Sequence, residues 1–325
     1  VTGIASAAPA PPARRRPKRD SLMSWRASDR IGLAMCWALG LLFCVIAGAI
    51  VLYMLVQGLR YLRPELLVTH PSGGYGDAHS GGFLDPLLGT FLVAFLAMAV
   101  ALPVGISTAV WLSEYGRPAW LARIAESTVE MIAGAPSIVL ALFGTIIFQS
   151  GALGFFSRSS SQGVVFGRSF FAAGAMLSLV ALPLIVANTR EGLQLIPGHV
   201  REASYAVGKT KAATIRRILL PAARPQIATG SILGIGRVIG DTAIIVILLG
   251  ATLTFNGGGG AAGLSTLRGT GSTLTSYVYT NSPAGEGNQP GKAYAAAFVL
   301  LLMVLALNAS VDLVARRGRK YQWSS

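Results

Sequence analysis

The chain has 325 residues, 27 of them Lys or Arg and 13 Asp or Glu, so charged types make up 12% and hydrophobic types 53%. That composition excludes a disordered chain, which is rich in charge, and argues against a soluble enzyme, which could not clothe its surface from so small a polar share. The formal net charge of +14 falls in clusters between long uncharged stretches, a membrane pattern that leaves no role for nucleic acid.

Residues 1–30 read as a disordered basic cytoplasmic tail. The low-complexity stretch Ser6–Pro12 precedes Arg14, Arg15, Arg16, Lys18 and Arg19, a cluster that holds the N-terminus inside and touches anionic lipid. The apolar run that follows, residues 31–59, is about twice the length of a signal-peptide core, so it is expected to be an uncleaved first transmembrane helix. Cys36 and Cys44 lie in this run. Eight helical residues separate them by about 12 Å, too far for a disulfide. With the histidines scattered at 70, 79 and 199, no metal-ligand spacing occurs.

Further charge-free runs cover Pro86–Ser113, Met131–Ser157, Ser169–Thr189 and Ala293–Val311, and Ile227–Leu253 is interrupted only by Arg237 and Asp241. Each is near or above the ~20 residues that carry a helix across ~30 Å of hydrocarbon. The expected fold is therefore an all-α integral membrane protein with six transmembrane helices. The first is followed by a five-helix core over 87–315 and a basic cytoplasmic tail at 316–325. Twenty of the 27 basic residues fall in the N-terminal tail, the connections after spans two and four, and the C-terminal tail; six fall on the opposite side. The positive-inside rule then places both termini in the cytoplasm. Glu114, Glu126 and Glu130 flank spans on that side and read as solvated interfacial charges. The external segments 60–85 and 254–291 are rich in Gly, Ser and Pro and read as loops, with Leu274–Tyr279 the best candidate for order.

The connection at 190–224 is the informative one. Pro197 interrupts it, His199–Val207 reads as a short helix of mostly small side chains, and Gly208 is a natural left-handed end. A second helix, Thr210–Leu220, is expected to stop at Pro221. Glu202, Ala203 and Ser204, then Gly208, then Ile218 and Pro221 resemble the EAA-x3-G-x9-I-x-L-P signature of ABC importer permeases, with Ser204 in place of the second Ala. The resemblance implies a coupling helix that docks in a groove of a separate ATPase. Small side chains suit such a seat, and Glu202 near the helix start is favoured by the helix dipole. Ala203–Thr210 also matches a loosened phosphate loop, but helix precedes it where a strand is required, so this chain is not expected to hydrolyse ATP.

Within span five, Arg237 lies about 16 Å along the axis, close to the bilayer midplane. Asp241 at i+4 shares its helical face. Either the two neutralise each other, or they line a transport path on which Arg237 offers paired donors to an oxyanion. The run Gly236-Arg237-Val-Ile-Gly240-Asp241-Thr242 is similar to the R-x-x-G-E-T stretch of PstA-like phosphate-uptake permeases, with Asp241 where that family usually has Glu. Gly81–Thr90 and Ala187–Glu191 point the same way. Span five also holds Gly230-x-x-x-Gly234 and Gly236-x-x-x-Gly240, a small-residue spacing that permits close helix approach.

These resemblances imply a type I ABC importer permease fold in the bacterial plasma (inner) membrane, half of a pore for inorganic phosphate. They imply Arg237, Asp241 and Thr242 on the substrate path, and Glu202, Ala203, Ser204, Gly208, Ile218 and Pro221 in ATPase coupling. The implied partners are a second, related permease, a cytoplasmic ABC ATPase dimer that uses ATP and Mg, and an external phosphate-binding protein. No cofactor is implied for this chain itself. An ABC permease for sulfate, molybdate or an amino acid is the alternative, and more remotely an ion-coupled secondary transporter with Asp241 as its proton or sodium site.

Overall fold

The computed structural model describes residues 27–71, 81–157, 165–250, 264–283, 285 and 289–317. Most of the two expected basic tails (residues 1–26 and 318–325) and the segments 72–80 and 251–263 lie outside the described residues, while residues 27–30 and 316–317 are helical. The chain divides into two units, one up to Tyr53 and one from Met54 onward. The described part of the first is the greater part of a single helix, α1 (Ala27–Tyr61). Its 35 residues carry no acidic or basic side chain between Arg30 and Arg60.

The second unit is built on two long helices, α3 (Leu84–Val110) and α6 (Phe170–Gln194). They approach closely because glycines stand at the crossings. A Cβ on Gly105 would lie 2.7 Å from Cγ2 of Ile185, and one on Gly174 would lie 2.8 Å from Cβ of Leu96. Around this pair the buried side chains form one core that includes Val93, Ala97, Phe170, Leu177, Ile185 and Val238. Pro103 and Pro183 sit inside α3 and α6 without ending either.

Among the described residues, four helices are long and apolar enough to cross a membrane: Ala27–Tyr61, Leu84–Tyr115, Phe170–Gln194 and Pro290–Leu313. The number rises to six if each of two bent pairs counts as one span. The expected third span, Met131–Ser157, is not one rod. Its residues are shared between α4 (Ala119–Gly134) and α5 (Ser137–Gln149), whose axes differ by 109°. Pro136 is the cause, since a residue preceding proline is pushed out of the helical region, and Ala135 has φ −72° and ψ 133°. The expected fifth span is likewise divided, into α10 (Arg224–Gly240) and α11 (Thr242–Leu248), with a 54° bend.

Short helices fill the connections. α2 (Pro64–Val68) precedes α3, while α7 (Gly198–Ala206), α8 (Lys211–Thr214) and α9 (Leu220–Ala222) join α6 to α10. α12 (Leu264–Arg268) and α13 (Leu274–Asn281) come before the last helix, α14 (Pro290–Arg317). α13 is held by a reciprocal cap between Thr273 and Ser276 and buries Leu274 and Tyr277. The Leu274 N–H donates to Oγ1 of Thr90 in α3 at 2.9 Å. The segment around Leu274 is therefore anchored to the helix bundle.

Candidate functional site

Two places bring the sequence-selected residues together. The first is the connection from α6 to α10. α7 begins after Pro197 and turns Val200 and Ser204 inward, while Glu202, Ala203, Tyr205 and Val207 are exposed. The inward face belongs to an apolar cluster of Leu193, Ile196, Val200, Ile215, Leu219 and Ala223, against which Ile218 packs.

Gly208 closes α7 at φ +78°. Its N–H donates to the carbonyl of Tyr205 at 2.9 Å, and the N–H of Lys209 reaches the carbonyl of Ser204 at 3.2 Å. These paired bonds satisfy the last carbonyls of the helix, a Schellman end that needs a left-handed residue. The hydroxyl of Ser204, the residue that departs from the signature, meets Oγ1 of Thr214 at 2.8 Å and joins α7 to α8. Thr210 begins the next helix, its hydroxyl accepting the N–H of Ala213 at 3.3 Å. The stretch that resembled a phosphate loop is thus one helix end and one helix start.

The expected stop at Pro221 is corrected. Helical backbone continues through a π turn, Ile215–Leu219, into α9, where Pro221 occupies the first turn. Proline lacks an N–H and crowds the preceding turn; the wider π turn directly before it relieves both demands.

The reading of Glu114 as a solvated charge is also corrected. α3 ends in a π turn, Trp111–Tyr115, and there the Glu114 side chain is only 6% exposed. Its Oε1 accepts from Nε and Nη2 of Arg201, in α7, at 3.1 and 3.0 Å. The same guanidinium donates to the carbonyls of Ile196 and Leu193 at the end of α6, both at 2.8 Å. Lys211 donates to the main-chain carbonyl of Glu114 and lies 4.5 Å from the centre of the Tyr115 ring. Glu126 pairs with Arg190, and Glu130 is exposed.

The second place is the break at Gly240–Asp241. Asp241 has φ −81° and ψ 110° and serves as the cap of α11, its carboxylate accepting the N–H of Ile244 at 3.0 Å. It is 6% exposed. Because α10 ends at Gly240, the i to i+4 relation expected between Arg237 and Asp241 does not exist. Among the described residues Arg237 forms no ion pair, and it is exposed, so mutual neutralisation is overturned. Thr242 is half-buried in the first turn of α11. On the other side of the break, the freed carbonyl of Ile239 accepts from Oγ1 of Thr275 in α13 at 2.7 Å. Gly230 and Gly234 face α6 beside Ile185, whereas Gly236 and Gly240 have open space around them; only the first small-residue pair serves packing within the chain.

Residues 101–320 match the family model described as "Binding-protein-dependent transport system inner membrane component". The phosphate transport system permease protein PstA 1 of Mycobacterium tuberculosis is 36% identical over 247 residues, covering 75% of this chain and 74% of that protein. PstA of Mycobacterium leprae is 35% identical over 232 residues, 71% of this chain and 70% of that one. Among solved structures, a chain of a bacterial ABC transporter involved in the import of the acidic polysaccharide alginate superposes with a TM-score of 0.60. It covers 91% of this chain and 100% of that chain at 16% identity, a likeness of fold.

Proposed function

This chain belongs to the family of binding-protein-dependent transport system inner membrane components, and from that membership we propose that it is a permease subunit of an ATP-driven importer of inorganic phosphate. The observation that carries the phosphate assignment is the 36% identity to a phosphate permease across three quarters of both chains. The membrane is the bacterial plasma membrane, with both termini in the cytoplasm. That orientation rests on the uneven distribution of basic residues.

A single six-span chain forms half of a pore. The second half is a related permease, an external phosphate-binding protein delivers the anion, and a cytoplasmic ATPase dimer supplies the work with its own ATP and Mg. This chain binds neither. The exposed face of α7 carries Glu202 and Ala203 and is the surface offered to the ATPase. The small Ala203 and Ala206 permit close approach, and Tyr205 and Val207 add exposed apolar surface beside them. The Schellman end at Gly208 and the Ser204–Thr214 bond keep that stub compact, and the cluster around Ile218, with Pro221 beyond it, ties the stub to α10.

Arg237, Asp241 and Thr242 belong to the substrate path. An exposed guanidinium with no acidic partner among the described residues has its charge available, and its fork of donors suits a tetrahedral oxyanion. Asp241 forms no ion pair with it, and its Oδ1 accepts the amide of Ile244. Asp241 instead holds the bend that brings α10 to an end beside Arg237. An ion in the bilayer interior is costly unless it faces water or a partner. A hydrated path containing passing phosphate meets that condition.

The test is phosphate-stimulated ATP hydrolysis by the reconstituted complex, with sulfate as control. Stimulation by phosphate alone, reduced on the order of tenfold or more by Arg237→Gln, is expected for a lost charge-assisted contact. Equal stimulation by both anions would remove the phosphate assignment, and an unimpaired Arg237→Gln complex would remove Arg237 from the path.

A further inference from the structure

α7 is covalently joined to α6 on one side and to α8–α10 on the other, so a push on α7 reaches those helices through the chain itself. α3 is different: Glu114 and Arg201 are 87 positions apart, and a displacement of α7 reaches α3 either by way of α6 packing at Gly105 and Gly174 or directly through side chains of the coupling segment. From the geometry at that point we infer that Arg201 and Glu114 form the mechanical joint by which movement of α7 is passed to α3, with Arg201 acting as a positioning residue. This deepens the proposed importer and rests on that reading of α7 as the ATPase-docking helix.

Three features distinguish this pair from surface decoration. The Glu114 side chain is 6% exposed and that of Arg201 23%, so the interaction is shielded from the solvent that weakens exposed pairs. Arg201 simultaneously grips the ends of two helices: Glu114 in the π turn of α3, and Leu193 in the last turn of α6 together with Ile196 just beyond it. Lys211 adds a second hold, donating to the Glu114 main chain from the start of α8. The coupling segment is therefore clamped to the end of α3 on both sides of the Gly208 turn.

The receiving end has a distinct geometry as well. The π turn Trp111–Tyr115 closes on a left-handed Gly116 at φ +41°, whose N–H donates to the carbonyl of Trp111 at 2.8 Å. A π turn holds one more residue than the α turn it replaces, and Glu114 lies in this one, bonded to Arg201. α3 in turn packs along α6 through Gly105 and Gly174 and meets α13 through Thr90. A displacement entering at Glu114 thus acts on a helix that runs from the π turn to the α13 anchor.

The experiment uses the assembled transporter in proteoliposomes, with environment-sensitive labels placed separately at two exposed positions, Val207 beyond α7 and Val104 on α3. In the unmodified complex, ATP with vanadate is expected to shift both signals. In Glu114→Gln, the Val207 signal still shifts while the Val104 response is lost, and phosphate moved per ATP hydrolysed falls on the order of tenfold. The double exchange Glu114→Arg with Arg201→Glu restores a substantial part of that ratio, which a general loss of stability would not produce. A Val104 response of normal size in Glu114→Gln, with a normal transport-to-ATP ratio, overturns the joint and leaves the importer reading standing. A Val207 signal silent to ATP in the unmodified complex overturns the docking-helix reading and the joint together. If Glu114→Gln does not assemble, Arg201→Lys is measured in its place, and the same two responses decide.

Discussion

The carboxylate of Asp241 accepts the main-chain N–H of Ile244 at 3.0 Å at the point where the backbone turns by 54° between α10 and α11. The first amides of a helix have no partner within it, and a side-chain oxygen just outside supplies one. Two roles for Asp241 are therefore separable, its cap and its charge. Asp241→Ala removes both and is expected to destabilise the complex by about 1 kcal/mol through the cap alone. Asp241→Asn keeps an accepting oxygen and is expected to melt within about 0.5 kcal/mol of the unmodified protein. Thermal unfolding of the purified complex checks the order; an Asn variant as unstable as the Ala variant would contradict the cap.

Gly208 presents a cleaner case. A Cβ there meets nothing within 4 Å, so substitution is opposed by backbone conformation alone. Gly208→Ala is expected to cost about 1–2 kcal/mol because φ is +78°, a left-handed region unfavourable to residues with a side chain. Gly208→Asn costs less, since Asn tolerates that region. The expected functional consequence is reduced co-purification of the ATPase with unchanged membrane insertion, more severe for Val than for Ala. Normal assembly and uptake by Gly208→Val would count against α7 as the docking element.

Ser204→Ala removes the 2.8 Å contact with Thr214 but leaves the Thr214 hydroxyl bonded to the Thr210 carbonyl at 3.1 Å. No buried group is orphaned, so the expected loss is at the low end of about 0.5–1.5 kcal/mol. Ser204→Val adds volume at a position 5% exposed and is expected to be worse than Ala by about 1 kcal/mol or more. Chemical or thermal unfolding separates the two; equal losses would mean that the pocket around Ser204 is not tightly filled.

What could be read directly was whatever depends on local chemistry. Charge-free length placed helices at 31–59, 86–113, 169–189 and 293–311; α1, α3, α6 and α14 cover the same stretches, with α6 and α14 running on to Gln194 and Arg317. Gly208 as a left-handed helix end follows from glycine being the residue that tolerates that conformation. Apolar length carries no direction, however, so the bends at Ala135–Pro136 and Asp241 were hidden within runs that looked continuous. Pro136 was a visible warning. Asp241 was harder, because a carboxylate four residues from Arg237 is as consistent with a helical pair as with a cap, and only the backbone decides. The pairs Glu114–Arg201 and Ile239–Thr275 join distant segments, and no local pattern announces such a contact. Glu114 offered one hint, an acid at the very end of an apolar span, but a solvated carboxylate gives the same pattern.

The most direct measurement of the central claim is uptake of radiolabelled phosphate into proteoliposomes containing this chain with its companion permease and ATPase. It is made with and without ATP on the ATPase side, and with and without the external binding protein. The account predicts accumulation against a gradient only when ATP and binding protein are both supplied, with sulfate and molybdate failing to compete. Accumulation that persists without the ATPase and follows an imposed proton or sodium gradient would contradict it.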